Sequence, residues 1–297
     1  ANIFYDSLLI DVSSDEDRNY VSSMGYALGY LGGGILFLIN VLMYLYPSYF
    51  NLNSQVEGIL YSFLSVAIWW FIFSIPLFLF VKQKNFGDTA DFKYPIKQSF
   101  IRVLNTFKEI KKYKAVLIFL IAYWFYIDAI DTIVRMAVAY GTDLGFDSSK
   151  LIIALIFTQF IGFPATFAYG YLAEKFGLFN MLVVGILIYI LICIYSLFIT
   201  SATDFFILAG LVGLVQGGVQ SVSRTIFSRL IPQDKATEFF GFYNLIGKSA
   251  VVVGPALVGW MAYIFDNPKA GIISLLLLFI PGIIILFYVP KTSLVRD

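Results

Sequence analysis

The chain has 297 residues, of which 60% are hydrophobic and 13% charged, against about 25% charged in an average soluble domain. Net charge is +1, so no nucleic-acid partner is implied. Histidine is absent and Cys193 is the single cysteine, which excludes Ser-His and Cys-His nucleophiles, HExxH zinc sites, haem held by histidine and an intrachain disulfide, and calls for no metal or cofactor.

Eight apolar runs succeed one another, at roughly 20–46, 59–81, 115–139, 150–172, 178–200, 204–222, 237–265 and 270–289. About 20 apolar residues cross a hydrocarbon core as a helix, and several of these runs are longer, so tilt is expected. The fold class is therefore all-α, an integral membrane protein with eight transmembrane helices. Before the first run, residues 1–19 hold Asp6, Asp11, Asp15, Glu16 and Asp17 and read as a polar loop. A chain that opens on Ala1 inside such a loop is expected to lack upstream sequence.

In the first run Gly25, Gly29 and Gly33 repeat every four residues. They share one helix face, where bare backbone lets another helix come close and slide. After the second run comes the one long loop, 82–114. There Ile96, Phe100, Val103, Leu104, Phe107 and Ile110 recur at helical spacing among lysines, which predicts an amphipathic helix on the membrane surface or a solvated linker. That loop, with 1–19, 173–177, 223–236 and 290–297, carries 16 of the 20 lysines and arginines. The opposite loops carry only Lys150 and Lys269. The excess of Lys and Arg on one side places both ends of the chain and the long loop in the cytoplasm. Two helices, a basic linker and six helices match the end of the first half and the whole second half of a twelve-helix transporter. The domain expectation is 1–81, 82–114 and 115–297, with four further helices of the same protein before Ala1.

The third run carries Asp128, Asp131 and Arg135, at i, i+3 and i+7 on one face. A charge near the bilayer centre costs about 2.5–3.5 kcal/mol or more, so such residues face cavities and mark pathways. By the helical rise of about 1.5 Å per residue, Asp128 lies roughly 20 Å from the inner end of its run and Lys248, in the seventh, about 15 Å from its own. A pair between Asp128 or Asp131 and Lys248 is the expectation. Arg135, nearer the outer surface, either snorkels or gates. Gln159, Gln216, Gln220 and Asn244 add amides in the fourth, sixth and seventh runs; amides bind either sign weakly and suit a polar or zwitterionic solute. Arg224 ends the sixth run at the inner side as a gate or an anchor. The short turn Gly170-Tyr-Leu-Ala-Glu174-Lys175-Phe-Gly177 offers Glu174 and Lys175 to helix ends or to neighbouring charges.

That turn resembles the Gly-x-Leu-Ala-Asp-x-x-Gly signature of the major facilitator superfamily, with Glu174 for Asp and with Leu178, Phe179 and Asn180 where basic residues are usual, which weakens any salt-bridge gate. Further runs, Phe4-Tyr-Asp-Ser-Leu-Leu9, Gly29-Tyr-Leu-Gly-Gly33, Ala122-Tyr-Trp-Phe-Tyr-Ile-Asp128, Thr158-Gln-Phe-Ile-Gly-Phe-Pro164, Gly217-Gly-Val-Gln-Ser-Val-Ser-Arg224, Phe239-Phe-Gly-Phe-Tyr-Asn244 and Gly254-Pro255, resemble the vacuolar amino-acid effluxer branch and its bacterial members. The resemblance implies export or exchange of small solutes, with amino acids as the known eukaryotic cargo.

The expected activity is thus secondary transport by alternating access. Solute would bind against Asp128, Asp131, Gln159, Gln220 and Lys248, and a buried aspartate would take up a proton in one state and release it in the other. No Walker A motif is present, so ATP is not a direct driver. Two other readings remain open. Asp128-x-x-Asp131, Arg135, Asp143 and Asp147 faintly echo the aspartate motif of the CDP-alcohol phosphatidyltransferases, whose carboxylates hold a divalent metal, but that motif's glycines are missing. A non-transporting scaffold or receptor is the third.

Overall fold

In the computed structural model, which describes residues 2–82 and 110–290, every regular element among those residues is a helix. In chain order the α-helices are α1 (Asn2–Val12), α2 (Arg18–Leu45), α3 (Gln55–Phe80), α4 (Lys114–Asp143), α5 (Ser148–Phe176), α6 (Leu178–Ser196), α7 (Ala202–Leu230), α8 (Ala236–Ala250), α9 (Val253–Ile264), α10 (Pro268–Ser274) and α11 (Leu276–Leu286), and short 3-10 turns lie at Pro47–Phe50 and Gln233–Lys235. Among the described residues, eight stretches are long and apolar enough to cross a membrane. Six are the single helices α2 to α7. The seventh is α8 with α9, and the eighth is α10 with α11.

Helix ends follow from local chemistry. Asp147 caps α5 by accepting from the Ser149 N–H at 3.0 Å. Ser201 and Asp204 make a reciprocal capping box at the start of α7. Between α5 and α6 the chain reverses on Gly177 alone, at φ 92°, a conformation that side chains with a Cβ adopt only under strain. The seventh span breaks at Val251–Val252. Pro255 lies four residues after Val251, so its ring meets that carbonyl and it has no N–H to bond there.

The core lies between α4, α6, α7 and α11, where Phe119, Tyr126, Leu182, Tyr189, Val219, Phe227 and Phe279 are all buried. α7 carries many hydroxyls into it, and most bond their own helix: Ser223 to the Val219 carbonyl, Thr225 to that of Ser221 and Ser228 to that of Thr225. α2 packs across α5 and α7 on small residues. A Cβ at Gly162 would stand 2.9 Å from the Tyr30 ring, and one at Gly170 would run into Ser23. α3 packs along α2, where Ser65 donates to Asn40 at 2.8 Å, and the one residue it buries is Gly58, against the Met43 carbonyl. Its other faces leave Trp70, Phe71, Phe78 and Phe80 exposed, the expected surface toward lipid acyl chains.

One expectation is overturned. Residues 1–19 are not a loop: α1 occupies Asn2–Val12 and buries Leu8, Leu9 and Ile10, with Asp6 only 8% exposed. The acidic count of that stretch masked the apolar run Phe4-Tyr-Asp-Ser-Leu-Leu-Ile10. The predicted amphipathic helix of 96–107 lies outside the described residues; Ile110, at its edge, is buried.

Candidate functional site

A cavity of about 560 Å³ lies among α1, α2, α4, α5, α7 and α8, within the roughly 300–1,000 Å³ range of small-molecule sites. Its walls are Tyr5 and Asp6 from α1, Gly25, Tyr26, Gly29 and Tyr30 from α2, Tyr123, Ile127, Asp131 and Arg135 from α4, Gln159 from α5, Gln220 and Arg224 from α7, and Tyr243, Asn244, Gly247 and Lys248 from α8, with Val251 at the break.

Depth follows from the helical rise. Arg224 is six residues from the end of α7 and so roughly 9 Å from the lysine- and arginine-rich end of the bundle, while Asp131, seventeen residues into α4, lies roughly 26 Å from it. The cavity floor is built at Arg224. Arg224 is 3% exposed, and its guanidinium pairs with Asp6 at 3.3 Å. It also donates to the Ser22 hydroxyl and the Ser22 carbonyl, both at 3.0 Å, and lies over the Tyr26 ring at 4.6 Å. Asp6 in turn accepts from the Asn244 amide at 2.8 Å. Residues from α1, α2, α7 and α8 thus meet at one ion pair.

Below the floor the basic end is closed by short polar contacts. Asn19 donates to the Gly170 carbonyl at 2.9 Å and to Glu174 at 3.4 Å. Ser22 donates to the Ser221 carbonyl at 2.9 Å. Asp15 pairs with the buried Arg18, and its backbone carbonyl accepts from Arg229 at 3.3 Å. Further in, Tyr123 and Tyr243 stack at 4.2 Å between ring centroids and continue to Phe227, giving that wall a flat apolar face.

The structure brings together Asp131, Arg135, Gln159, Gln220, Arg224, Asn244 and Lys248 on the cavity wall. Two of the predicted binding residues are elsewhere. Gln216 is half-buried and does not line the cavity, although it lies one turn before Gln220 on the same face of α7. Asp128 is fully buried, and its partners are the Gly254 N–H at 2.9 Å and the Thr132 hydroxyl at 3.5 Å. Among the described residues no salt bridge joins Lys248 to Asp128 or Asp131, so the expected Asp–Lys pair is not formed. In the Gly170–Gly177 turn, Glu174 meets Asn19 while Lys175 sits 5.5 Å from the Phe176 ring at the exposed surface. Nor does the glycine stripe of α2 serve a close helix contact throughout: Gly25 and Gly29 line the cavity, and a Cβ at Gly29 or Gly33 would meet nothing within 4 Å. Sequence reasoning missed Asp6 and the tyrosines. Tyr26 and Tyr30 stand at i, i+4 beside Gly25 and Gly29, a spacing that sets rings and bare backbone on adjoining faces.

The description of a vacuole effluxer, Atg22-like, matches residues 10–296. The chain is 41% identical over 294 residues to the MFS-type transporter YxiO of Bacillus subtilis, covering 99% of this chain and 68% of that protein. It is 26% identical to autophagy-related protein 22-1 of Penicillium rubens over 88% of this chain, and spans less than half, 47%, of that longer relative. Two solved structures of FucP, one described as the E. coli fucose:proton symporter and one as an MFS transporter in the outward conformation, superpose with TM-scores of 0.61 and 0.64 at 16% and 14% identity over 97% of this chain, covering 73% and 72% of theirs. At that identity the likeness establishes the major facilitator fold. It leaves no support for the phosphatidyltransferase reading. From the match over residues 10–296 and the identity to YxiO, the chain belongs to the Atg22-like effluxer family: it is an integral membrane transporter of the major facilitator type, and not an enzyme.

Proposed function

We propose that this chain forms the solute pathway of a proton-coupled secondary transporter for small zwitterionic solutes, amino acids among them, in a bacterial inner membrane. The carrying observation is the cavity wall itself, where Asp131 faces a space shared with Arg135, Lys248 and the amides Gln159, Gln220 and Asn244. Groups of both signs within one small cavity match a solute that carries both. With both ends of the chain cytoplasmic, the packed end at Asn19, Ser22 and Glu174 is the closed inner gate. Residues 1–81 and 115–297 then belong to two halves joined by 82–114, and rocking of the halves opens that gate and closes the other.

Asp131 is the proposed proton site. Among the described residues it makes no direct ion pair, and Arg135 stands one turn away on the same helix, within reach of its charge. In proteoliposomes of the whole protein, with a panel of radiolabelled amino acids, an imposed pH gradient should drive accumulation of at least one of them. Asp131→Asn should abolish that gradient-driven accumulation and retain exchange of labelled for unlabelled solute. If no amino acid of the panel moves in either assay, the cargo assignment is wrong. If Asp131→Asn responds to the gradient as wild type does, Asp131 is not the proton site.

A further inference from the structure

The seventh span is two helices, and only one of them touches the cavity. α8 contributes Tyr243, Asn244, Gly247 and Lys248 to its wall, Val251 stands at the break, and α9 contributes nothing. α9 is instead fastened to α4. The Gly254 N–H, freed because a helix start has no carbonyl one turn back to bond, donates to the Asp128 carboxylate at 2.9 Å. Thr132, one turn along α4, donates to the other carboxylate oxygen at 3.5 Å. The fit needs a glycine: a Cβ at position 254 would stand 2.7 Å from Asp128 and would run into Thr132. A carboxylate at the positive end of a helix is favourable on electrostatic grounds as well.

We propose that Asp128 is a positioning residue that anchors the start of α9 to α4, and that Val251–Val252 is a hinge about which α8 moves the cavity wall against a fixed α9. This rests on the transporter reading for the reason that α8 must move; the hinge itself is read from the break, the anchor and the one-sided lining. Pro255 keeps the break open, because it removes the N–H that would bond the Val251 carbonyl and join the two helices.

The test uses the whole protein in lipid nanodiscs, with Cys193→Ser as background, and spin-label pairs at exposed positions. Ile121→Cys with Trp260→Cys spans α4 to α9, and Leu245→Cys with Trp260→Cys spans α8 to α9; all three side chains are exposed. Double electron–electron resonance should give a narrow α4–α9 distance distribution and a clearly broader α8–α9 one. Asp128→Ala should broaden the α4–α9 distribution. Asp128→Asn should leave it narrow, because the amide oxygen accepts the same Gly254 N–H. An α8–α9 distribution as narrow as the α4–α9 one overturns the hinge, and that comparison needs no variant at Asp128. An α4–α9 distribution that Asp128→Ala leaves unchanged overturns the anchor. Since no transport is measured, loss of this proposal leaves the transporter reading intact, and loss of that reading leaves these distances unexplained but still decisive for the hinge.

Discussion

Arg224→Ala should cost the folded protein about 3–5 kcal/mol, the penalty for removing one partner of a buried ion pair. Arg224 is almost without solvent contact and makes its bonds across the bundle, to Asp6 of α1 and to the Ser22 hydroxyl and carbonyl of α2. Its removal leaves the Asp6 carboxylate with the Asn244 amide as its remaining close donor and strips two acceptors on Ser22. Arg224→Lys should also lose much of this, since an ammonium cannot reproduce three bonds from a planar fork. Thermal unfolding in detergent measures the loss. The double variant Asp6→Ala/Arg224→Ala should be more stable than Arg224→Ala alone, because the stranded charge is then gone. Equal melting temperatures for the wild type and Arg224→Ala would show that this pair holds nothing together.

Gly29→Phe should abolish transport and leave the melting temperature at or above that of the wild type. Gly29 lies on the cavity wall, and nothing stands within 4 Å of a Cβ placed there, so a phenyl ring projects into the space where solute would lie. Replacing glycine inside a helix also favours folding by roughly 0.5 kcal/mol through propensity. The contrast is Gly217→Ala, where even one methyl group would stand 2.5 Å from the Tyr30 ring and press on Thr166. That variant should lose about 1–3 kcal/mol by overpacking. Solute exchange in proteoliposomes alongside melting curves separates the two. Transport by Gly29→Phe at the wild-type rate would move the pathway elsewhere.

The eight spans were readable because hydrocarbon thickness and helical rise leave so few alternatives; the apolar runs and the helical spans agree within a few residues, except that α7 continues eight residues past the end of its run, to Leu230. At the chain's start a count of acidic residues hid an apolar helix, since Asp6 is balanced by Arg224 more than two hundred residues away, and no local pattern reports a partner at that distance. The same limit governs α4. Periodicity correctly placed Asp128 and Asp131 on neighbouring parts of one face, yet the roughly 60° between i and i+3 around the helix axis sends Asp131 to the cavity and Asp128 into the contact with Gly254. The rise of a helix gave Lys248 and Asp128 similar depths but says nothing of azimuth, which tertiary packing decides. Gln159, Gln220 and Asn244 line the cavity, each a polar residue in an apolar run, and burial inside a membrane leaves such groups little choice but a shared polar space.

The hydroxyls of α7 bear on how fast such a molecule can change shape. Ser223, Thr225 and Ser228 each bond a carbonyl of their own helix, so these polar groups travel with a built-in acceptor. A helix studded with hydroxyls that relied on its neighbours would have to expose each one to hydrocarbon whenever those neighbours shifted, at a cost of several kcal/mol apiece with no water to substitute. In the proposed rocking of the halves α7 would slide past α2 with most of its side-chain hydroxyls still satisfied, and the activation barrier would fall on a handful of links between the halves, Ser22 to Ser221 and Arg224 to Ser22 and Asp6. Internal solvation of this kind gives a rigid rod a low-friction surface.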